Sequence, residues 1–247
     1  MLWGGAEVAV TVGLVLLLLV VHQLWWTNRQ ARQGAERQVQ ALEREWAASE
    51  ERSPDDLADV PSEEPDEQAE EEPGSGDGAG DGPQQPVSAA KPPPKPDWDQ
   101  AYAVLTIPRL GIRVPVAQGV SKSGVLNKGY VGHYPGTAQP GGKGNFALAG
   151  HRNTHGEPFR YINRLRSGDQ LKVETKAATY TYTVGRTLAQ TSPRDGGVIA
   201  KVPQSQVKPG AGYSEPGYYI TLTTCTPEYT SKYRLVVWGK LTGTRPR

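Results

Sequence analysis

YYITLTTCTPEYTSKYRLVVWGKL, spanning Tyr218–Leu241, carries two runs rich in β-branched and aromatic residues on either side of a Pro-containing turn. Val, Ile, Thr, Tyr and Trp fit a pleated, half-buried surface, so YYITLTT (Tyr218–Thr224) and YRLVVWGKL (Tyr233–Leu241) read as successive strands. Working outward, the same texture recurs in AVLTI (Ala103–Ile107), IRVPVAQ (Ile112–Gln118), NFALAGH (Asn145–His151), QLKVET (Gln170–Thr175) and YTYTVGR (Tyr180–Arg186). Gly, Pro, Asn and Asp punctuate these runs. Short strands at this spacing, with almost no helical period, predict a single mainly β domain, a barrel or a sandwich, over 98–247. Within it, PRDGGVIAKVP (Pro193–Pro203) is expected to add a short turn and strand inside a long loop.

The rest of the 247 residues has a different character. Val8–Trp26 is 19 residues without a formal charge, about the length that crosses ~30 Å of hydrocarbon, and Trp25 and Trp26 stand where an interfacial aromatic belt lies. No Lys or Arg precedes this run. Leu-Trp-Trp follows it, where a signal peptide would show small residues, so 1–26 reads as a retained transmembrane anchor. The segment 27–52 is rich in Ala, Gln, Glu and Arg and predicts a solvated juxtamembrane helix. Val39, Leu42 and Trp46 give it too few heptad positions for a coiled coil. The segment 53–97 joins an acidic run, GSGDGAGDG and KPPPKP, the composition of a disordered, extended linker whose acidic part acts as a solubilising spacer.

Charge is sorted along the chain although Lys+Arg (27) and Asp+Glu (26) almost balance. Between Glu50 and Asp81 there are 14 acidic residues and one Arg, whereas Tyr102–Arg247 holds 20 basic residues and 6 acidic. The basic surplus lacks the aromatic-studded motifs of nucleic-acid readers, so no nucleic-acid partner is expected. No Walker loop, dinucleotide fingerprint or HExxH helix occurs, and a single Cys excludes an internal disulfide and any four-Cys metal site. Neither a metal nor another cofactor is expected.

Three residues carry the chemistry. Cys225 is the only thiol and ends the apolar run TLTTC; His151 ends ALAGH; Arg234 opens the last strand. Taken singly, each has a bland reading: a small buried hydrophobe, a structural imidazole, a solvated charge. Together they supply a thiolate nucleophile, its proton-transfer partner and a donor for the oxyanion of acyl transfer.

The segments LNKGYVGHYPGTAQPGGKGNFALAGHRNTHGEPF (Leu126–Phe159) and TLTTCTPEYTSKYRLVVWG (Thr221–Gly239) together resemble the catalytic domain of sortases. The wording GHYPGTAxPG, NFALAGHR and TLTTCTP is most similar to class E sortases of high-GC Gram-positive bacteria. The resemblance covers about Tyr102–Leu241, and implies a sortase-type β-barrel with short helical and turn insertions behind a transmembrane helix and linker.

By this resemblance Cys225 attacks the Thr–Gly carbonyl of a sorting motif, His151 moves the proton, and Arg234 stabilises the oxyanion and holds the substrate backbone. Tyr134 and Thr223 are implied to line the groove, with Thr224 beside them; strand parity sets Thr223 on the face of Cys225. The implied partners are secreted proteins with C-terminal LAxTG-like signals, in preference to LPxTG, and a peptidoglycan amine acceptor. Localisation would be the plasma membrane, single-pass, with the domain extracellular. Arg29, Arg32 and Arg37 follow the span and, by the positive-inside rule, argue the opposite orientation. An upstream start carrying basic residues would remove that conflict, and the domain chemistry outweighs it. A pilus-polymerising sortase and a catalytically idle wall-binding module on the same barrel are the alternatives. An L,D-transpeptidase would need an SHGC-like motif, which TLTTCTP lacks.

Overall fold

The computed structural model describes residues 2–51 and 96–247. The acidic and Pro-rich stretch 53–97 therefore lies outside the described residues, apart from Pro96 and Asp97.

β1 (Ala101–Ile107) and β2 (Ile112–Gln118) form a hairpin through a 3-10 turn at Pro108–Leu110, where Pro108 presets φ and Gly111 closes the turn at φ 62°. β3 (Val131–His133), β4 (Gly144–Ala149), β5 (Gln170–Thr175), β6 (Ala178–Thr191), β7 (Tyr218–Thr226) and β8 (Tyr233–Pro246) follow. They close into a barrel in the order β1-β2-β3-β4-β7-β8-β6-β5, with β5 returning to β1. The pairs β2–β3 and β4–β7 are parallel and all others antiparallel. Of the two sheet architectures left open by the sequence, the closed barrel is the one adopted.

Two elements differ from expectation. β3 is unannounced, because a three-residue VGH is too short to show alternation. The strand expected within 193–203 is absent: Gly196–Ile199 is a 3-10 turn in the β6–β7 loop. Asp195 organises that loop instead. Its buried carboxylate accepts hydrogen bonds from Thr191 Oγ1 (2.6 Å), Ser205 Oγ (2.5 Å) and the Gln206 N–H (2.9 Å), and such local bonds compete with a ladder. Burial alone would raise its pKa, but these donors outweigh it and hold the carboxyl below the usual range.

Leu105, Phe146, Leu148, Tyr182, Ile220, Leu222 and Val237 meet inside the barrel. A second cluster, Val198, Tyr213, Tyr219, Val236 and Trp238, lies on the outer face of β7 and β8 beneath the β6–β7 loop, with Trp238 Nε1 donating to Val198 O at 3.0 Å.

α1 is one helix, Leu2–Glu50. Its apolar part is long and apolar enough to cross a membrane. Val10–Trp26 is exposed on all sides, with no cover among the described residues. The polar part is not solvated all round, as composition alone suggests. Ala31, Ala35, Val39, Leu42 and Trp46, at helical spacing, form a buried stripe that reaches Ala101 and Val104 on the outer face of β1. Glu43 pairs with Arg113 of β2, and the Arg247 guanidinium lies 4.7 Å from the Trp46 ring.

Candidate active site

Backbone register brings the expected trio to one end of the barrel. β4 and β7 run in parallel with Ala149 opposite Thr223, and the Gly150 N–H continues the ladder to Thr223 O at 3.2 Å. Two residues beyond that pair, His151 and Cys225 leave neighbouring strands at the same edge. In the antiparallel pair β7–β8, Cys225 stands directly opposite Arg234. Directly opposed residues present their side chains on one face with Cβ atoms about 4.5–5.5 Å apart. The strand order β4–β7–β8 therefore sets His151, Cys225 and Arg234 in a row, the thiol in the middle.

Each side chain is tied differently. His151 Nε2 lies 2.9 Å from Asn127 Oδ1. An amide oxygen only accepts, so Nε2 carries the proton and Nδ1 keeps its lone pair. The ring stacks on His155, with centroids 5.4 Å apart. Burial, then His155 and Lys122, push its pKa down to about 4, so the imidazole is neutral at neutral pH. Arg234 spends Nη1 on the carbonyls of Ser231 (2.9 Å) and Tyr233 (3.0 Å). Among the described residues its Nε and Nη2 have no acceptor, which leaves donors for a ligand. Cys225 is a free, half-buried thiol.

The three residues expected in the groove separate. Tyr134 OH meets Thr223 Oγ1 at 3.1 Å, bracing the β3–β4 connection against the Cys225 strand. Thr223 also donates to Leu148 O at 3.1 Å. Thr224 is buried on the opposite face, and its hydroxyl donates to Gly150 O at 2.8 Å, so it ties the Cys strand to the His strand and faces away from the groove. His133 is wholly buried: Nε2 donates to Ala138 O (3.1 Å), Nδ1 lies 2.8 Å from Tyr102 OH and 3.0 Å from Gln118 Oε1, and the ring packs edge-on to Phe146.

Two residues at the site went unread in the sequence. Asn127, which holds the His151 ring, is one polar residue in a turn and carries no motif. Arg152 follows His151 in the quoted NFALAGHR without a role of its own, yet it is buried; Nη1 donates to Cys225 O (3.2 Å) and Thr226 Oγ1 (2.8 Å), and Nη2 lies 3.7 Å from Glu228. Among the described residues no group of three or more His, Cys, Asp or Glu side chains is disposed to hold a metal ion.

Comparison with known proteins agrees with this architecture. The sortase-domain family model matches residues 105–242. The sequence is 42% identical to Sortase SrtE1 of Streptomyces coelicolor over 98% of this chain, and the chain spans 57% of that relative's length. It is 32% identical to Sortase SrtE2 of the same organism over 96% of this chain and 81% of that one. Among solved structures, Sortase E1 from Streptomyces coelicolor with a tripeptide in the active site superposes with a TM-score of 0.57 and 51% identity, over 60% of this chain and 92% of that one. Sortase E from Streptomyces avermitilis gives a TM-score of 0.54 and 39% identity, over 61% and 93%. The chain belongs to the sortase family.

Proposed function

We propose that the protein is a membrane-anchored cysteine transpeptidase that cuts an LAxTG-like sorting signal between Thr and Gly and joins the Thr carbonyl to a peptidoglycan amine. The observation that carries this reading is the row formed at one barrel edge by His151, just past the end of β4, Cys225 on β7 and Arg234 on β8. A neutral imidazole with a free Nδ1 lone pair is suited to take the Cys225 proton as the thiolate attacks the Thr carbonyl. The tetrahedral oxyanion falls to the unspent guanidinium donors of Arg234. Collapse breaks the Thr–Gly bond, the imidazolium returns its proton to the departing Gly amine, and a thioester remains on Cys225. An acceptor amine then attacks, His151 removes the amine proton and passes it to the leaving thiolate, and a new amide forms.

Tyr134 and Thr223, on the face that parity gives Cys225, form the polar side of the groove in this reading. The tripeptide bound in the active site of the Streptomyces coelicolor Sortase E1 structure supports a peptide ligand. A long apolar helical segment without cover among the described residues supports a bilayer anchor. Sorting signals and wall amines lie outside the cell, so the barrel is assigned to the extracellular face.

The test is cleavage of fluorogenic LAETG and LPETG peptides by the full-length protein in detergent, with and without an added amine. We expect cleavage that favours the Ala peptide, yields a ligated product with amine, and disappears in Cys225→Ala. Cleavage that survives Cys225→Ala would refute the assignment.

A further inference from the structure

Both loops that hold His151 rest on the helix that leads out of the apolar segment. Asn127, whose Oδ1 accepts the hydrogen bond from His151 Nε2, belongs to the turn ending at Gly129, and a Cβ on Gly129 would stand 2.9 Å from the Ala31 carbonyl oxygen. Next to it, Tyr130 OH donates to Gln38 Oε1 at 3.4 Å. On the other side, His155 stacks on His151 and begins three consecutive residues with positive φ: 52° at His155, 83° at Gly156 and 53° at Glu157. Only Gly enters that region without strain, so a turn of this shape persists only where its surroundings hold it.

Asn28 and Arg32, one helical turn apart, hold it. Asn28 Oδ1 accepts the Gly156 N–H (3.2 Å), while Arg32 Nε donates to Gly156 O (3.1 Å). Asn28 Nδ2 and Arg32 Nη2, each at 3.1 Å, donate to the two carboxylate oxygens of Glu157. The Gly156 backbone, at both its N–H and its C=O, and the Glu157 carboxylate are thus each held by both residues. The buried Glu157 carboxylate also takes Arg160 Nη1 at 2.8 Å. Arg160 and Arg152 then flank Glu228 at 3.8 and 3.7 Å, and Arg152 reaches the Cys225 carbonyl. One chain of polar contacts runs from the helix to the backbone of the thiol.

We propose that Asn28 and Arg32 are positioning residues of the active site, acting through Glu157 and the His155 turn on His151 and Cys225, so that the juxtamembrane helix is a working part of the catalytic unit. This inference rests on the transpeptidase reading above. It also fixes where the chemistry occurs: Asn28 and Arg32 follow Trp26 by two and six residues, so at ~1.5 Å per residue the His151 edge of the barrel stands within about 10 Å of the end of the apolar segment.

The full-length protein in detergent micelles tests it. Peptide cleavage and thermal unfolding are measured for the wild type, Asn28→Ala, Arg32→Ala, the double variant, and Arg32→Lys, which keeps a charge for Glu157 but loses the Nε bond to Gly156. We expect the double variant to lose about tenfold or more in kcat with KM changed less than about twofold and the unfolding midpoint held, because small misplacements of reacting groups act on the chemical step. Arg32→Lys should recover part of the loss. Unchanged kcat in the double variant would overturn the proposal, as would a kcat loss that in every variant only follows a lowered unfolding midpoint. Should Arg32→Ala not fold, the same split read on Asn28→Ala decides. Cys225→Ala separates the two claims: cleavage persisting there refutes the transpeptidase reading, whereas cleavage abolished there but intact in the double variant refutes only the helix clamp.

Discussion

Gly150 stands between β4 and His151, and a Cβ there would lie 2.7 Å from the Phe159 ring, so the close approach of that ring fixes glycine at the strand exit. The GHR triplet was legible as a strand end bearing an imidazole because β texture stops at that point. The partner of its imidazole, Asn127, and the buried role of its own Arg152 were not, since both are ordinary polar residues whose contacts arise only when distant segments meet. His133 makes the same point from the other side: GHYPG leaves a groove role and a packing role equally open for it, and burial with both ring nitrogens engaged makes it a core residue. Burial lowers its pKa to about 4. The unfolded chain therefore binds a proton near pH 6.5 that the folded one refuses until about 4, and stability is full above pH 6.5 and falls as pH drops through that window. Chemical denaturation at pH 7 and pH 4.5 should show a loss of roughly 2 kcal/mol from this group. His133→Gln, although less stable at pH 7, should show a shallower pH slope; an unchanged slope would contradict this account of the buried imidazole.

At the scale of elements, strands with clear β-branched runs were placed well and their ends were not. β2 and β5 coincide with the sequence reading, but β6 and β8 run on to form a 14-residue ribbon. Bulges along β6 supply the extra twist that lets this ribbon curl, and bulges leave no mark in the residue pattern. AVLTI in β1 lacks alternation because both its faces are covered, the inner by the barrel core and the outer by α1. That covering also explains why Val39, Leu42 and Trp46 are too sparse for a coiled coil: their partner is the barrel. On β8, Trp238 is wholly buried on the outer face and roots the β6–β7 loop through Val198. Trp238→Ala should destabilise the protein by roughly 3–5 kcal/mol in denaturant melts. A cost within error of zero would show that the outer cluster does not hold the loop.

For the whole molecule, closure of the barrel is the feature a linear reading could not reach. Ala103–Thr106 of β1 pairs with Lys172–Thr175 of β5, and nothing local to either run specifies the other. Register then does the rest: parallel β4–β7 and antiparallel β7–β8 convert three separate motifs into one site. The charge pattern also gains meaning at this scale. Arg32, one of the three cations that argued against an extracellular barrel, is engaged by Glu157, so it serves the packing of helix on domain. The central claim is that Cys225 carries the substrate acyl group. The most direct measurement is the intact mass of the full-length protein, quenched in acid during turnover of an LAETG peptide without added amine. The account predicts a mass increment equal to the peptide fragment ending in Thr, located on Cys225, removed by hydroxylamine and absent in Cys225→Ala. Turnover with no such adduct, or an adduct on another residue, would contradict it.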